Sequence, residues 1–224
     1  ELLNVKQIFF TLVFPSILMG QQLKEKKPPN HIGTIIFQAE EQIENTPIVE
    51  LGKAFTLRFD DLNADESYYY YTIQHANADW TASALYKSEY INGFDDVRIR
   101  NMTNSSATLQ SYTHYDLTIP NRDTEIIASG NYVLAVFDKS QELVFTKRFV
   151  VYEQRATVQV GVYRLRDLEG IDSQQRIEIG VKTTNINSRQ PDQEISVWAL
   201  QNYRWSSARK IPKYDYVMNQ SLRF

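Results

Sequence analysis

Cysteine is absent from the 224 residues. That excludes disulfides, thiolate nucleophiles, iron–sulfur clusters, zinc sites built on sulfur and a lipidated N-terminal cysteine. A surplus of positive charge is missing too: 24 basic against 27 acidic side chains leave a formal net charge of −3, with an isoelectric point near 5.7. Such a chain has no cationic field with which to hold phosphates, so neither nucleic acid nor direct membrane insertion is expected. No helical 3.6-residue period of useful length and no Gly-x-Ser-x-Gly nucleophile elbow can be found. Three histidines, His31, His75 and His114, lie too far apart in sequence to form a helical or hairpin metal pair.

What is present suits a globular protein: 42% of the residues are hydrophobic and 12% aromatic, enough to build a core. The longest apolar run, Ile8 to Met19, is broken only by Thr11 and Ser16 and follows Lys6. It is shorter than the roughly 20 residues of a membrane-spanning helix, and Pro15 interrupts it. The pattern predicts a signal peptide over residues 1–20, cut after Gly20, with a buried N-terminal helix or strand as the alternative. Glu1 stands where an initiator Met is expected, and Leu18 is larger than the usual residue before a cleavage site.

Beyond a linker at 21–30, apolar residues alternate with polar ones in short runs, the period of a strand with one face on a core. The clearest are Phe55, Leu57, Phe59; Tyr115, Leu117, Ile119; Tyr132, Leu134, Val136; Val158, Val160, Val162; Ile177, Ile179, Val181; and Ile195, Val197. Turn signals separate them at Asp60 to Glu66, Asn92-Gly93, Pro120-Asn121, Ser129 to Asn131, Asp138 to Gln141, Glu169-Gly170 and Ser188 to Asp192. Short strands so spaced predict an all-β chain of tandem immunoglobulin-like or fibronectin-like sandwich domains. The first is expected over 31–153 and the second over 154–224. The second has roughly four predicted strands where a sandwich needs about seven, so it is expected to be incomplete.

Little here suggests chemistry. His75 reads as a core or edge residue, and His114 and Asp116 share one side of a strand without a nucleophile to complete a triad. Asp61, Asn63 and Asp65 open like a calcium loop, but Glu66 stands where that loop turns on Gly and Thr72 where it needs a bidentate Glu. They read instead as a solvated turn. The run Tyr68 to Tyr71 would send two rings to each face of a strand, leaving one pair free to anchor a partner or buried beneath a loop. Neither a catalytic group, a metal nor a cofactor is expected. The sequons at Asn101, Asn104 and Asn219 permit glycosylation only in a host that performs it.

One stretch is more specific: Tyr70 to Trp80 (YYTIQHANADW), continued by Ser83, Leu85, Ser88, Glu89, Tyr90, Gly93 and Phe94. With Phe59 to Leu62, Tyr112 to Tyr115, Leu117, Pro120, Ser129 to Tyr132, Arg148-Phe149 and Val197 to Trp205 (VWALQNYRW), it resembles the type IX secretion system plug protein family of Bacteroidetes over roughly residues 31–205. Ala76 stands where relatives often carry Cys, and relatives continue past the point matching Phe224. The resemblance implies a non-catalytic periplasmic protein on the inner face of the outer membrane. Its partner would be the outer-membrane β-barrel translocon, whose channel it closes from the periplasmic side.

Polarity and loop length place the candidate partner contacts in the Asp60 to Glu66 turn, the tyrosine run and the Tyr90 to Asn104 loop: Asp61, Asn63, Asp65, Tyr68, Tyr70, Tyr90, Asn92, Phe94, Arg98 and Arg100. The competing reading is an exported carbohydrate-binding or adhesion module stacking sugars on Trp80, Trp198 or Trp205, of which Trp80 and Trp198 look structural. A hydrolase comes third, for want of a motif or paired carboxylates.

Overall fold

Alternation of apolar and polar side chains pays off only where two strands align it in register. The computed structural model, which describes residues 22–40, 45–165, 174–183, 190–218 and 221–224, shows that alignment along its longest pairings. The expected signal sequence and the Glu169-Gly170 turn lie outside the described residues. In chain order the first unit contains β1 (Ile32–Ala39), β2 (Ile48–Glu50), β3 (Phe55–Asp61) and β4 (Tyr70–Ala76). A helical turn α1 (Lys87–Tyr90) follows, then β5 (Ile91–Gly93), β6 (Val97–Arg98), β7 (Asn101–Asn104) and β8 (Thr113–Ile119). β9 (Thr124–Ile126), β10 (Gly130–Phe137) and β11 (Leu143–Tyr152) complete it.

These strands form two facing sheets, β1-β3-β8-β7 and β2-β11-β10-β4-β6, with β5 and β9 paired as a small flap. The pairings are antiparallel except β2 with β11. Between β3 and β8, Phe55 faces Ile119, Leu57 faces Leu117 and Phe59 faces Tyr115, so all six side chains enter the core together. The same register turns Thr56, Arg58 and Asp60 outward against Thr118, Asp116 and His114. There they form a cross-strand ladder, with Arg58 Nε donating to Asp116 at 3.0 Å and His114 Nδ1 2.6 Å from Asp60. A shift of one residue would exchange these two sets, which is why the register is so firmly specified.

The core is aromatic. Phe37, Phe55 and Phe149 pack with ring centroids 4.9–5.4 Å apart, while Phe59 stacks on Tyr115 at 5.0 Å and meets Tyr69 and Phe145 edge-on at 5.3 Å. Each such ring contributes on the order of 1.5–3 kcal/mol through burial. Tyr132, at the start of the central strand β10, is fully buried, and its hydroxyl donates to the carbonyl of Ala128 at 2.7 Å. This is the tyrosine corner of immunoglobulin-like sandwiches, made here without a disulfide. Beside it Gly130 has φ +151°. A Cβ there would lie 2.1 Å from His75 Nε2, so a larger residue would strain the backbone and displace the His75 ring.

The second unit begins with a long hairpin, β12 (Ala156–Arg164) and β13 (Gln175–Thr183). A four-residue helical turn α2 (Pro191–Glu194) precedes a short hairpin of β14 (Trp198–Ala199) and β15 (Arg209–Lys210), and β16 (Tyr216–Met218) and β17 (Ser221–Arg223) follow. The sheet order is β12-β13-β17-β16. Ile179, Val181 and Leu222 are buried under Ile195, Val197, Ile211, Tyr214 and Phe224, giving this unit a core separate from the first. The alternating valines of β12 depart from expectation: Val158, Val160 and Val162 are 56%, 63% and 58% exposed. Among the described residues the second core takes in β13, β17 and, from β12, Ala156 at its start. Ile195 and Val197, expected in a strand, instead lie in irregular chain just before β14. They still contribute to the second core.

Tyr132→Phe keeps the ring and removes one hydrogen bond at the corner. We expect urea unfolding to show a loss of about 1–2 kcal/mol with an unchanged m-value. Alkaline pH should act through the same rings. Burial pushes the phenols of Tyr69, Tyr115 and Tyr132 well above their ordinary value of 10.0, so the folded state holds protons that the unfolded state releases. Their contribution to stability is complete below pH 10 and falls as pH rises above it. A phenolate absorbance titration should show these three ionising only as the chain unfolds.

Candidate functional site

At one end of the first sandwich, the chain leaving β3 turns sharply to reach β4, and the sequence supplies the means. Asp61 is fully buried. Its Oδ1 accepts the Asn63 backbone N–H at 3.0 Å, and its Oδ2 accepts the Tyr69 hydroxyl at 2.8 Å. Asp65 closes the next step by accepting the Ser67 N–H at 3.2 Å and the Ser67 hydroxyl at 2.7 Å. Ala64 and Glu66 take left-handed φ values of 55° and 53°, and the Tyr115 hydroxyl donates to the Ser67 carbonyl at 2.7 Å. The resemblance to a calcium loop therefore ends in a different structure, and the expected solvated turn holds only in part: Asp61 is buried beneath it, while Asp65 braces it from the exposed side.

This rigid turn presents Asn63, Asp65 and Tyr68 on the surface. Tyr68 is 46% exposed, and the Arg98 guanidinium lies 3.5 Å above its ring, a cation–π contact worth about 0.5–2 kcal/mol. Tyr70, half-buried, faces Arg98 across the β4–β6 pairing. The tyrosine run thus divides as its alternation requires, with Tyr69 and Tyr71 in the core and Tyr68 and Tyr70 outward. Beside them an open hollow of 430 Å³ is lined by Lys26, Lys27, His31, Asn63, Tyr68 and Lys139, among others. Lys26 and Lys27 belong to the segment preceding β1, and Lys139 to the β10–β11 turn. Both adjoin the candidate surface only through the fold, although the Asp138 to Gln141 turn is itself readable in the sequence.

The remaining candidates separate from this end. Asn92 and Phe94 sit at the opposite end of β8, on the β5–β9 flap. There the Asn92 side chain donates to Glu125 at 3.1 Å, and Phe94 is 70% exposed. Tyr90 is buried against His75 and Tyr132, so it and Asp61 support the surface without facing it. Arg100 pairs with Asp123 at 3.1 Å on the side of the sandwich. Trp198 is 44% exposed, more than its expected structural role requires. Trp205 is engaged with Trp80, their ring centroids 4.8 Å apart, and so is not a free sugar platform.

For chemistry, His114 is the strongest arrangement. Its ring lies between Asp60 and Asp116, at 2.6 and 3.4 Å, on the open face of a sheet, and its residue partner across β7 is Thr103. Among the described residues no cluster of His, Asp and Glu is arranged to hold a metal ion, and no helix is long and apolar enough to cross a membrane.

The fold defines a class: an all-β sandwich protein whose end turn between β3 and β4 is braced from within by Asp61 and Tyr69. The chain matches the model of the type 9 secretion system plug protein first domain over residues 32–153, more than half of its length, and it belongs to that family. That membership ties the chain to type IX secretion. A solved structure of a hypothetical protein from Parabacteroides merdae superposes with a TM-score of 0.80 at 24% identity over 91% of this chain. This chain spans 52% of that protein's length, and at that identity the likeness establishes the fold alone. No curated protein matches the chain.

Asp61→Ala would leave the Tyr69 hydroxyl and the Asn63 N–H without their acceptor. Chemical denaturation should show a loss of about 2–4 kcal/mol, whereas Asp65→Ala on the exposed part of the turn should cost under about 1 kcal/mol. Equal losses would mean that the buried carboxylate does not organise the turn.

Proposed function

We propose that this chain acts in a non-catalytic periplasmic plug, which binds the outer-membrane β-barrel translocon of the type IX secretion system and closes its channel from the periplasmic side. The observation that carries this reading is the family match over residues 32–153. The physical character of the unit supports it. A body that occludes an aqueous pore has to resist deformation, and a sandwich cored by interlocking rings with braced end loops is stiff where a partner would press on it. Of its two ends, the one carrying Asn63, Asp65, Tyr68, Tyr70 and Arg98 is the better docking face. It offers an aromatic ring beneath a guanidinium, a pairing typical of residues that dominate binding energy. Phe94 and Asn92 on the opposite flap provide a second, smaller contact.

Affinity isolation of the tagged full-length protein from native outer membranes tests the reading. The expected result is co-purification of a very large barrel, with recovery reduced about tenfold or more by the triple substitution Asn63→Ala, Tyr68→Ala, Arg98→Ala. Absence of the barrel from the wild-type preparation would remove the proposal. Wild-type recovery with the triple variant would move the docking face to the Phe94 flap.

A further inference from the structure

Three segments distant in sequence converge on Arg148. Its guanidinium lies 4.5 Å over the ring of Trp80, and its Nε donates to the Leu23 carbonyl at 2.6 Å. Its backbone N–H donates to Glu25 at 2.9 Å, and its own carbonyl accepts the Trp205 indole N–H at 3.3 Å. Trp205 in turn meets Trp80 edge-on at 4.8 Å. The first sandwich supplies Trp80 and Arg148, the second unit Trp205, and the chain ahead of β1 supplies Leu23 and Glu25. Partial burial lowers the proton affinity of the Arg148 guanidinium, with Glu25 opposing that effect.

Each contributor is held in advance. Trp80 has φ +67°, a conformation that costs an aromatic residue roughly 1–2 kcal/mol and persists only where its surroundings impose it. They do so here: Trp80 N–H donates to the Asn77 carbonyl at 2.9 Å, and Asp79 accepts both the Thr81 N–H and the Thr81 hydroxyl, at 3.0 and 2.7 Å. Trp205 is set by the Gln201–Ser207 loop, in which Ser207 Oγ donates to the Arg204 carbonyl at 2.7 Å and accepts the Gln201 N–H at 2.9 Å. The N-terminal segment is laid down like a strap. Leu23 N–H donates to the Trp80 carbonyl at 2.8 Å, Gln22 bridges to Thr81, and Lys26 pairs with Thr146, whose hydroxyl accepts its N–H at 2.6 Å.

We propose that Trp80, Arg148 and Trp205 form a latch that fixes the second unit on the first, and that the Gln22–Lys26 strap is the piece that locks it. With the strap in place, Arg148 and Trp80 are oriented together and Trp205 has a prepared seat. With the strap withdrawn, Arg148 loses its carbonyl acceptor and Trp80 the hydrogen bond that helps hold its left-handed turn. The second unit can then swing about Glu153–Arg155, the short connection between β11 and β12. A ligand or partner that captured the strap would thereby change the relative orientation of the two units. The latch stands independently of what the first unit binds.

The cysteine-free chain allows a direct test. Spin labels at Lys53→Cys and Lys210→Cys, both exposed and outside the latch, report the distance between the units in the full chain. The expected wild-type distribution is narrow and single. Trp205→Ala should broaden it about twofold or more, as expected when two domains lose a small interface, and Trp205→Phe, which keeps a ring and loses the N–H, should broaden it less. Leu23→Pro removes the donor to the Trp80 carbonyl without touching either tryptophan and should broaden it as well. Thermal unfolding of the first unit monitors that each variant is folded. An unchanged narrow distribution in Trp205→Ala would overturn the latch, and one in Leu23→Pro would overturn the locking role of the strap.

Discussion

The buried tyrosine, with its ring in the core and its hydroxyl on a loop, is the interaction on which the first sandwich depends. Tyr69 reaches Asp61, Tyr71 pairs with Thr124 at 2.8 Å, Tyr115 reaches the Ser67 carbonyl and Tyr132 the Ala128 carbonyl. A phenylalanine could fill each place in the core at similar apolar gain, but it could not hold the loop beyond. A buried hydroxyl left without a partner would be costly, so each ring fits only when its loop has folded correctly. Core packing and loop geometry are therefore one condition instead of two. In a chain without disulfides, this coupling is what makes the ends of the sandwich firm enough to serve as surfaces.

The two units use the same strand pattern to different effect. In the first, both sheets contribute alternating faces, and the rings interlock across the gap between them. In the second, the four-stranded sheet is covered over Ile179, Val181 and Leu222, while the β12 valines face outward. Among the described residues, Trp205 joins this second unit to the first through Trp80 and the Arg148 carbonyl.

The sequence made the strands legible, because alternation with a period of two is a local signal and needs only one face to be buried. β3 and β8 follow it residue by residue, whereas β10 also buries Val133 on its other face; the division of Tyr68 to Tyr71 between two faces follows as well. The turn at Asp61 to Asp65 was visible from its Asx residues. Its acidic side chains read as a solvated turn in place of a cation site, yet the structure buries Asp61. The distinction lies in the Tyr69 hydroxyl and the backbone N–H groups that accept no substitute, and these are placed by the fold.

Composition and pattern by themselves determined the all-β class, the lack of a cationic field and the exclusion of cysteine chemistry, and the motif order pointed to the family. The tertiary structure alone decided which alternating strands are covered, that Asp61 and Tyr90 face inward, and that Leu23, Trp80, Arg148 and Trp205 meet. The reason is physical. A strand's pattern records that one of its faces is apolar, but the layer that covers that face comes from elsewhere in the chain. Val158 and Leu57 consequently carry the same local signal and end in opposite environments.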